Sequence, residues 1–274
     1  MKDGVEEFLR EDVPADWRDV SSAVVEGVDA EATVFTRDEG VVAGVEEACA
    51  VFSHLGAEPN PRVEDGEGVE ASDVIMEPSG DGVALLRGER LALNLLGSMS
   101  GIATATRECV ERVERTGADT TVAATRKTTP GYREFEKRAV SLGGGDPHRY
   151  DLTEAVMLKE NHIALVGLEK AFRRAEKRAS FTTKIEVEAE DLSTAERAAE
   201  LGADIILLDN MTPEEVAEAV ESLDGTGVTV EASGGITSEN VAEYARVGAD
   251  VVSMGSLIHS SDWLDLSMRV EERR

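Results

Sequence analysis

Long apolar runs are missing from this chain. No stretch of about 18 apolar residues occurs in it, and the opening MKDGVEEFLREDV is acidic, so neither a membrane-spanning helix nor a signal peptide is expected. A cytoplasmic protein is the expectation. Cysteine is nearly absent: Cys49 and Cys109 are far apart, with no CxxC and no His/Cys cluster, which argues against a disulfide framework and a zinc site. Both should be reduced, buried small hydrophobes. Bases are outnumbered, 28 Lys and Arg against 56 Asp and Glu, for a formal net charge of -28, and only seven of the bases are Lys. That balance argues against nucleic acid or anionic membrane as a partner. The acids are dispersed through a chain that keeps 41% apolar residues, so they are not a disordered tail. Such a surface fits a protein working in concentrated salt, where the Debye length falls to about 3 Å at 1 M and self-repulsion is screened. A halophilic protein should lose activity and stability on dilution to low salt.

Against this background one basic island stands out. RKTTPGYREFEKRAVSLGGGDPHR, residues 126–149, holds six Lys or Arg and one His against three acids. It lies within a chain long enough for one large domain plus a small one. From about residue 117 one grammar repeats: an apolar β-rich run, a polar loop, a helix, a Gly. The runs are TVAAT (121–125), VMLK (156–159), KIEVE (184–188), DIILLD (204–209), VTVEA (228–232) and DVVSM (250–254). They read as continuous apolar strands of a buried parallel sheet. Helices are predicted over 131–142, 168–179, 192–201, 213–223 and 238–247. Thr212-Pro213-Glu214-Glu215 has the form of a capping box with Pro at the first helical position. GAD recurs at Gly117, Gly202 and Gly248, each Gly stopping a helix before a strand.

A βα repeat of this kind closes naturally into a barrel. Six strands in about 150 residues are too few for eight, so an incomplete, open β/α barrel is expected. Residues 1–92 read as a separate α+β domain, with short strands in ATVFTRD, GVVAGV, DVIMEPSG and GVALLRG around a helix at Val45 to His54. A long helix from Glu89 to Val113 leads into a barrel domain over 93–268, with 269–274 as a tail. The swing of VEDGEGVEASDVIMEPSG suggests a lipoyl or biotinyl carrier module. With no lysine between Lys2 and Lys127, that reading has no attachment point.

Chemistry in a βα barrel sits at the C-terminal strand ends. Those ends carry Arg126 and Lys127, then Lys159, Glu188, Asp209, Glu231 with Ser233-Gly234-Gly235, and Gly255-Ser256. The Gly-rich turns after the last two strands suit a phosphate, which backbone N–H groups and a helix N-terminus can cradle. Glu188 and Asp209, each closing an apolar strand, need a cation or a metal such as Mg²⁺; salt bridges to Lys127 or Lys159 are the plainer alternative. Arg126, Lys127, His148, Arg149 and Lys159 could surround a small dicarboxylate. Arg133, Lys137 and Arg138 read as a solvated helix face, and His54 as a helix-surface or core residue.

Taken together, ATRKTTPGYREFEKRAVSLGGGDPHR, VMLKENH, IEVE, ADIILLDNM, VEASGGIT and SMGSLIHS closely resemble the nicotinate-nucleotide pyrophosphorylase (carboxylating) family, the quinolinate phosphoribosyltransferases. The resemblance runs in order from about Arg90 to Asp265 and more loosely through LREDVPADWRDVSS. It implies phosphoribosyl transfer from phosphoribosyl pyrophosphate to quinolinate with decarboxylation, giving nicotinate mononucleotide, pyrophosphate and CO₂ for NAD biosynthesis. It implies quinolinate carboxylates gripped by Arg126, His148 and Arg149, with Lys127 and Lys159 at the junction with phosphoribosyl pyrophosphate. Glu188 and Asp209 would lie near the ribose and Mg²⁺, and Ser233, Gly234, Gly235, Gly255 and Ser256 around the 5-phosphate. Arg90 would enter the neighbouring subunit's site, which implies a homodimer. Three rivals remain: a paralogue for another pyridine acid, a silent phosphosugar-binding regulator, and an aldolase with a Schiff base on Lys159.

Overall fold

The computed structural model describes residues 2–12 and 19–272. Residues 13–18, the middle of the opening stretch LREDVPADWRDVSS, lie outside them. The chain divides into two compact units, Met1–Thr104 with Ser261–Arg274, and Ala105–Ser260.

In the first unit, β1 (Asp29–Thr36) alternates exposed and buried residues, as a strand with one covered face should. The unit also contains α1 (Lys2–Asp12), the two-residue pair β2 (Gly40–Val41) and β3 (Gly68–Val69), α2 (Val45–His54), β4 (Val74–Met76) and β5 (Ser79–Asp81). The helix α2 has the predicted bounds. GVALLRG, expected as a strand, is instead the first turns of α3 (Gly82–Glu114), of which 82–104 belong to this unit. Ala84, Leu85, Ala92, Leu96 and Met99 are buried at helical spacing along it, a periodicity that a seven-residue apolar window is too short to reveal. Nor is the C-terminus a tail beyond residue 268. Leu266–Glu272, strand β12 in the element order below, pairs antiparallel with β1 from Thr36↔Leu266 to Ala30↔Glu272. Its partner lies some 230 residues upstream, so no local pattern announces it. The small residues of SMSGIATAT have a use here. A Cβ on Gly101 would lie 2.0 Å from the Asp262 carbonyl oxygen, and Leu264 N–H bonds the Gly97 carbonyl at 3.0 Å.

The second unit holds the remainder of α3 and alternates strand and helix. In order these are β6 (Thr121–Ala124), α4 (Arg133–Leu142), β7 (Val156–Leu158), α5 (Glu160–Val166), α6 (Leu168–Glu176) and β8 (Ile185–Ala189). There follow α7 (Leu192–Leu201), β9 (Ile205–Asp209), α8 (Pro213–Leu223), β10 (Thr229–Ser233), α9 (Val241–Arg246), β11 (Val251–Met254) and α10 (Ser256–His259), before the returning β12 (Leu266–Glu272). The Thr212 capping box is formed, Thr212 Oγ1 accepting from Glu215 N–H and the Glu215 carboxylate from Thr212 N–H. Gly117, Gly202 and Gly248 all have φ between +77° and +96°, the left-handed conformation that ends a helix at little cost only for Gly.

The six strands are all parallel, in the order β6-β11-β10-β9-β8-β7, so the ring is open between β6 and β7. Val122, Val187, Ile206, Leu208, Val230, Ala232, Val252 and Met254 turn one face of the sheet to a core shared with helix residues such as Phe172, Ala195, Ala198, Val216 and Val241. The other face is different. In register across β8, β9 and β10 stand Glu188, Leu207 and Glu231, with Glu186 one step below and Asp209 and Ser233 one step above. The strands thus alternate, with acids on the second face, where continuous apolar strands were expected.

Candidate functional site

The opening in the sheet is where the basic island gathers. Among the described residues the free β6 edge is bridged by Asp146, whose N–H bonds Val122 O at 2.8 Å and whose carbonyl accepts from Ala124 N–H at 3.0 Å. This single parallel bridge anchors the GGGDPHR loop beside β6, and Arg126, at the end of β6, is thereby brought into range of Arg149. Helix α4 braces the loop. Lys137 is buried and its Nζ donates to the Pro147 carbonyl; Glu136, also buried, accepts from Thr129 N–H at 3.0 Å; Arg133 bonds Thr128 Oγ1 at 3.0 Å and Tyr150 O at 3.1 Å. Arg133 and Lys137 are therefore supports of the site loops and not a solvated face. Burial pushes the Lys137 ammonium down to about 8, with the Arg133 charge acting in the same direction.

His148 sits at φ 55°, a left-handed backbone uncommon for a non-glycine residue, with its N–H on Asp146 Oδ1 at 2.6 Å. Its Nε2 lies 3.1 Å from Oε2 of Glu231, which is 2% exposed. Burial draws the imidazolium pKa down, but the hydrogen bond and charge of Glu231, aided by Glu186, outweigh it, and the net shift is upward. Glu186 is fully buried in the same group; burial, then the Glu231 charge, raise its carboxyl well above the usual range. Arg149 donates to Ala155 O at 3.3 Å and to Met157 Sδ at 3.3 Å. The Nε groups of Arg126 and Arg149 are buried with no acceptor. A buried N–H without a partner costs on the order of 1–3 kcal/mol, more when charged, so both are suited to an anion supplied from outside.

Farther along the rim, Lys159 Nζ holds Glu188 Oε2 at 2.5 Å, and Glu160 N–H reaches the other oxygen at 3.4 Å. An amine held on a carboxylate, on a side chain this exposed, lacks the apolar pocket or neighbouring cation that activates a Schiff-base lysine, which argues against the aldolase reading. Asp209 accepts from Asn210 Nδ2 at 2.8 Å; burial and then the Glu188 charge raise its pKa, while Lys159 and Lys127 oppose the rise. Two hard carboxylates in mutual repulsion are a donor set that fits Mg²⁺. His148, Glu186 and Glu231 also have metal-ligand spacing, their nearest donor atoms lying within 4.8 Å of one another. The charge of Arg149 acts on that same buried group and opposes a cation there.

The two Gly-rich turns complete the rim. Gly234 and Gly235 follow β10 at φ 88° and 65°, and a Cβ on Gly234 would lie 2.3 Å from Asn210 Oδ1. The Gly235 carbonyl is held by Asn240 Nδ2 at 3.2 Å, and the Gly255 carbonyl by Ile258 and His259 N–H. A Cβ on Gly255 would meet Lys127 Cδ at 2.9 Å, so the Lys127 side chain runs over this turn. Ser233 Oγ and Ser256 Oγ donate to Ser253 O and Ile236 O, tying the turns to each other and to β11. Of the candidate site residues named from the sequence, all but Arg90 lie in this unit; Arg90 is an exposed residue of α3 in the first. Sequence reasoning missed Glu186 and the buried role of Lys137. The two-residue spacing of Glu186 and Glu188 in IEVE was the available signal for the former. His54 is an exposed helix-surface residue; Cys109 is buried as expected, whereas Cys49 is only partly covered.

An open ring of parallel strands with cations, carboxylates and Gly-rich turns at its C-terminal rim defines an α/β enzyme of the phosphosugar-handling type. Residues 102–269 match the family described as quinolinate phosphoribosyl transferase, C-terminal domain, and 19–100 match its N-terminal domain. The chain belongs to the quinolinate phosphoribosyl transferase family. A protein of Archaeoglobus fulgidus named probable nicotinate-nucleotide pyrophosphorylase [carboxylating] is 49% identical over 247 residues, 88% of this chain and 95% of the relative. The human nicotinate-nucleotide pyrophosphorylase [carboxylating] is 40% identical over 269 residues, 97% of this chain and 90% of its own. The crystal structure of NadC from Streptococcus pyogenes superposes with a TM-score of 0.91 at 37% identity, covering 99% of this chain and 96% of that one.

Proposed function

We propose that this chain transfers the phosphoribosyl group of phosphoribosyl pyrophosphate to quinolinate and releases CO₂, forming nicotinate mononucleotide and pyrophosphate in NAD biosynthesis. The observation that carries this reading is the pair of buried, unpartnered guanidinium Nε groups on Arg126 and Arg149, beside His148 at the gap in the ring. Carboxylate oxygens would satisfy both, each charge-assisted bond contributing about 1.5–3 kcal/mol. A substrate with adjacent carboxylates uses Arg126, His148, Arg149 and Lys159 together, whereas nicotinate offers only one carboxylate.

The chain's own work is positioning and electrostatics. Arg126, Arg149 and His148 hold the pyridine so that its nitrogen faces the ribose carbon. Lys127, which runs over the Gly255 turn, joins Ser233, Gly234, Gly235, Gly255 and Ser256 in holding the 5-phosphate. Glu188 and Asp209 would hold Mg²⁺ against the diphosphate and stabilise positive charge developing on the ribose. Bound there, Mg²⁺ supplies charge neutralisation of the departing pyrophosphate. Once the ring nitrogen bears the ribose, the pyridinium takes the electron pair left when the bond to the 2-carboxylate breaks, and a proton replaces the lost CO₂. No covalent nucleophile is needed. Arg90 would complete the site of a second copy in a cytoplasmic homodimer.

The test is CO₂ release and loss of quinolinate absorbance by the purified protein with phosphoribosyl pyrophosphate and Mg²⁺ in molar KCl, run beside nicotinate. Turnover with quinolinate alone is expected. Turnover with nicotinate alone, or with neither while phosphoribosyl pyrophosphate still binds, overturns the reading.

A further inference from the structure

We propose that Glu231, to which no role attaches in the reading above, is a positioning residue that fixes His148 by holding its Nε2–H, so that the Nδ1–H is presented to a carboxylate of the substrate. This rests on the proposed quinolinate reaction for its kinetic consequence, although not for its structural one.

Three constraints converge on one imidazole. The left-handed backbone at His148, φ 55°, sets the direction of its Cα–Cβ bond. The 2.6 Å bond from its N–H to Asp146 Oδ1 pins that backbone, and Asp146 is itself bridged to β6. Glu231 then takes the ring nitrogen at 3.1 Å from the floor of the site. Glu231 is on β10, in register with Leu207 and Glu188, so its position is set by the sheet and not by a loop. A carboxylate that is 2% exposed is costly to hold without a partner, and His148 is the partner the structure gives it.

The groups facing the ring decide its state. Burial opposes the imidazolium, as does Lys137 from α4; the hydrogen bond and charge of Glu231 from β10, with Glu186 from β8, favour it and set the net direction, and Asp146 occupies the backbone N–H. An imidazolium has two N–H donors and no acceptor. With Nε2–H committed to Glu231, the remaining donor is Nδ1–H. The arrangement is the second half of the logic by which a buried carboxylate orients a histidine in other enzymes. Without Glu231 the ring can flip or lose its proton, and one contact to the dicarboxylate disappears while the phosphate turns are untouched.

Glu231→Gln keeps the shape and removes the charge; Glu231→Asp keeps the charge on a shorter arm. Two readouts separate the inference from the function it rests on. The first needs no substrate: nitrogen NMR of histidine-labelled protein, which has four histidines, assigned with His148→Gln. Wild-type His148 should show a protonated, hydrogen-bonded Nε2, and in Glu231→Gln the pH at which the ring loses its charge should fall. The second is kinetic. Glu231→Gln should raise the KM for quinolinate roughly ten- to a hundredfold, the scale of a buried charge-assisted hydrogen bond, with kcat and the KM for phosphoribosyl pyrophosphate much less affected. Glu231→Asp should recover part of the loss. Unaltered His148 signals in Glu231→Gln, or in the wild type an Nε2 with no proton, overturn the inference. So does an equal fall in kcat for every substrate, which marks a merely structural residue. Should Glu231→Gln fail to fold, the wild-type spectrum and Glu231→Asp still decide it. Wild-type protein that shows the Nε2–Glu231 bond yet does not turn over quinolinate would overturn only the assigned reaction.

Discussion

The two faces of the six-stranded sheet are built from the same strands and do opposite things. The face toward the helices, with Val187, Ile206, Leu208, Val230, Val252 and Met254, is continuous aliphatic packing. The face toward the ring's interior carries Glu186, Glu188, Asp209, Glu231, Ser233 and Ser253, four carboxylates whose burial is tolerable only beside Arg126, Arg149, His148 and Lys159. One face supplies stability and the other stores charge. Substitutions should therefore separate cleanly into those that unfold the protein and those that silence it.

The largest separation is expected at Arg126. Arg126→Ala should lower quinolinate turnover on the order of a thousandfold, as two charge-assisted bonds are lost, while the thermal unfolding midpoint stays within a few degrees of wild type. Undiminished activity would remove Arg126 from the site. On the other face, Leu208→Ala should cost about 2–5 kcal/mol in denaturant unfolding, because its side chain is fully buried and leaves a cavity. Activity per folded molecule should be unchanged. A comparable loss of kcat in the folded variant would mean the two faces are mechanically coupled.

Lys137 sharpens the comparison through pH. Its folded-state pKa, about 8, lies below the ordinary 10.5, so the unfolded chain binds more protons between those values. Stability must then rise with pH across that window, and below about pH 8 the buried charge costs about 3 kcal/mol. Lys137→Met lacks this slope: its stability relative to wild type should decline from pH 8 to 10.5. Parallel pH profiles for the two proteins would show that the ammonium is better solvated than its burial and its bond to Pro147 suggest.

The helix-facing half of this architecture was legible because it repeats. The predicted bounds of α2, α7 and α8 agree with the structure, and the Gly stops and the Thr212 capping box are local chemistry. The cations of the candidate site were legible, since Arg126, His148, Arg149 and Lys159 stand out against an acidic chain. What was hidden depends on pairing over distance. β12 finds β1 from the far end of the chain, and GVALLRG is helical because its apolar residues continue the spacing of the rest of α3. Glu186 was concealed inside a run that read as apolar, because an acid at every second position of a four- or five-residue strand barely changes its mean character; Glu231 was visible at its strand end, but its pairing with His148, 83 residues away, was not. Lys137 was read as a surface residue because helical position alone does not tell which loop will fold over it.

The outer surface of the helices is a third kind of face, and it should give the smallest effect. Arg197 bonds Glu169 at 2.9 Å and Glu200 at 2.6 Å, with its side chain 44% exposed. Exposed pairs of this kind contribute about 0–1 kcal/mol, less as salt screens them. Arg197→Gln should thus change stability by less than about 1 kcal/mol at about 0.1 M salt, where the Debye length is about 10 Å, and by nothing measurable at about 1 M. The same titration tests the acidic exterior as a whole. In wild type, stability should rise as salt screens the repulsion among acids that give a net charge of -28, and the Arg197 pairs should weaken along the same axis. If wild-type stability is flat between those salt concentrations, the dispersed acids are not held apart by mutual repulsion, and adaptation to concentrated salt is not what their number reflects.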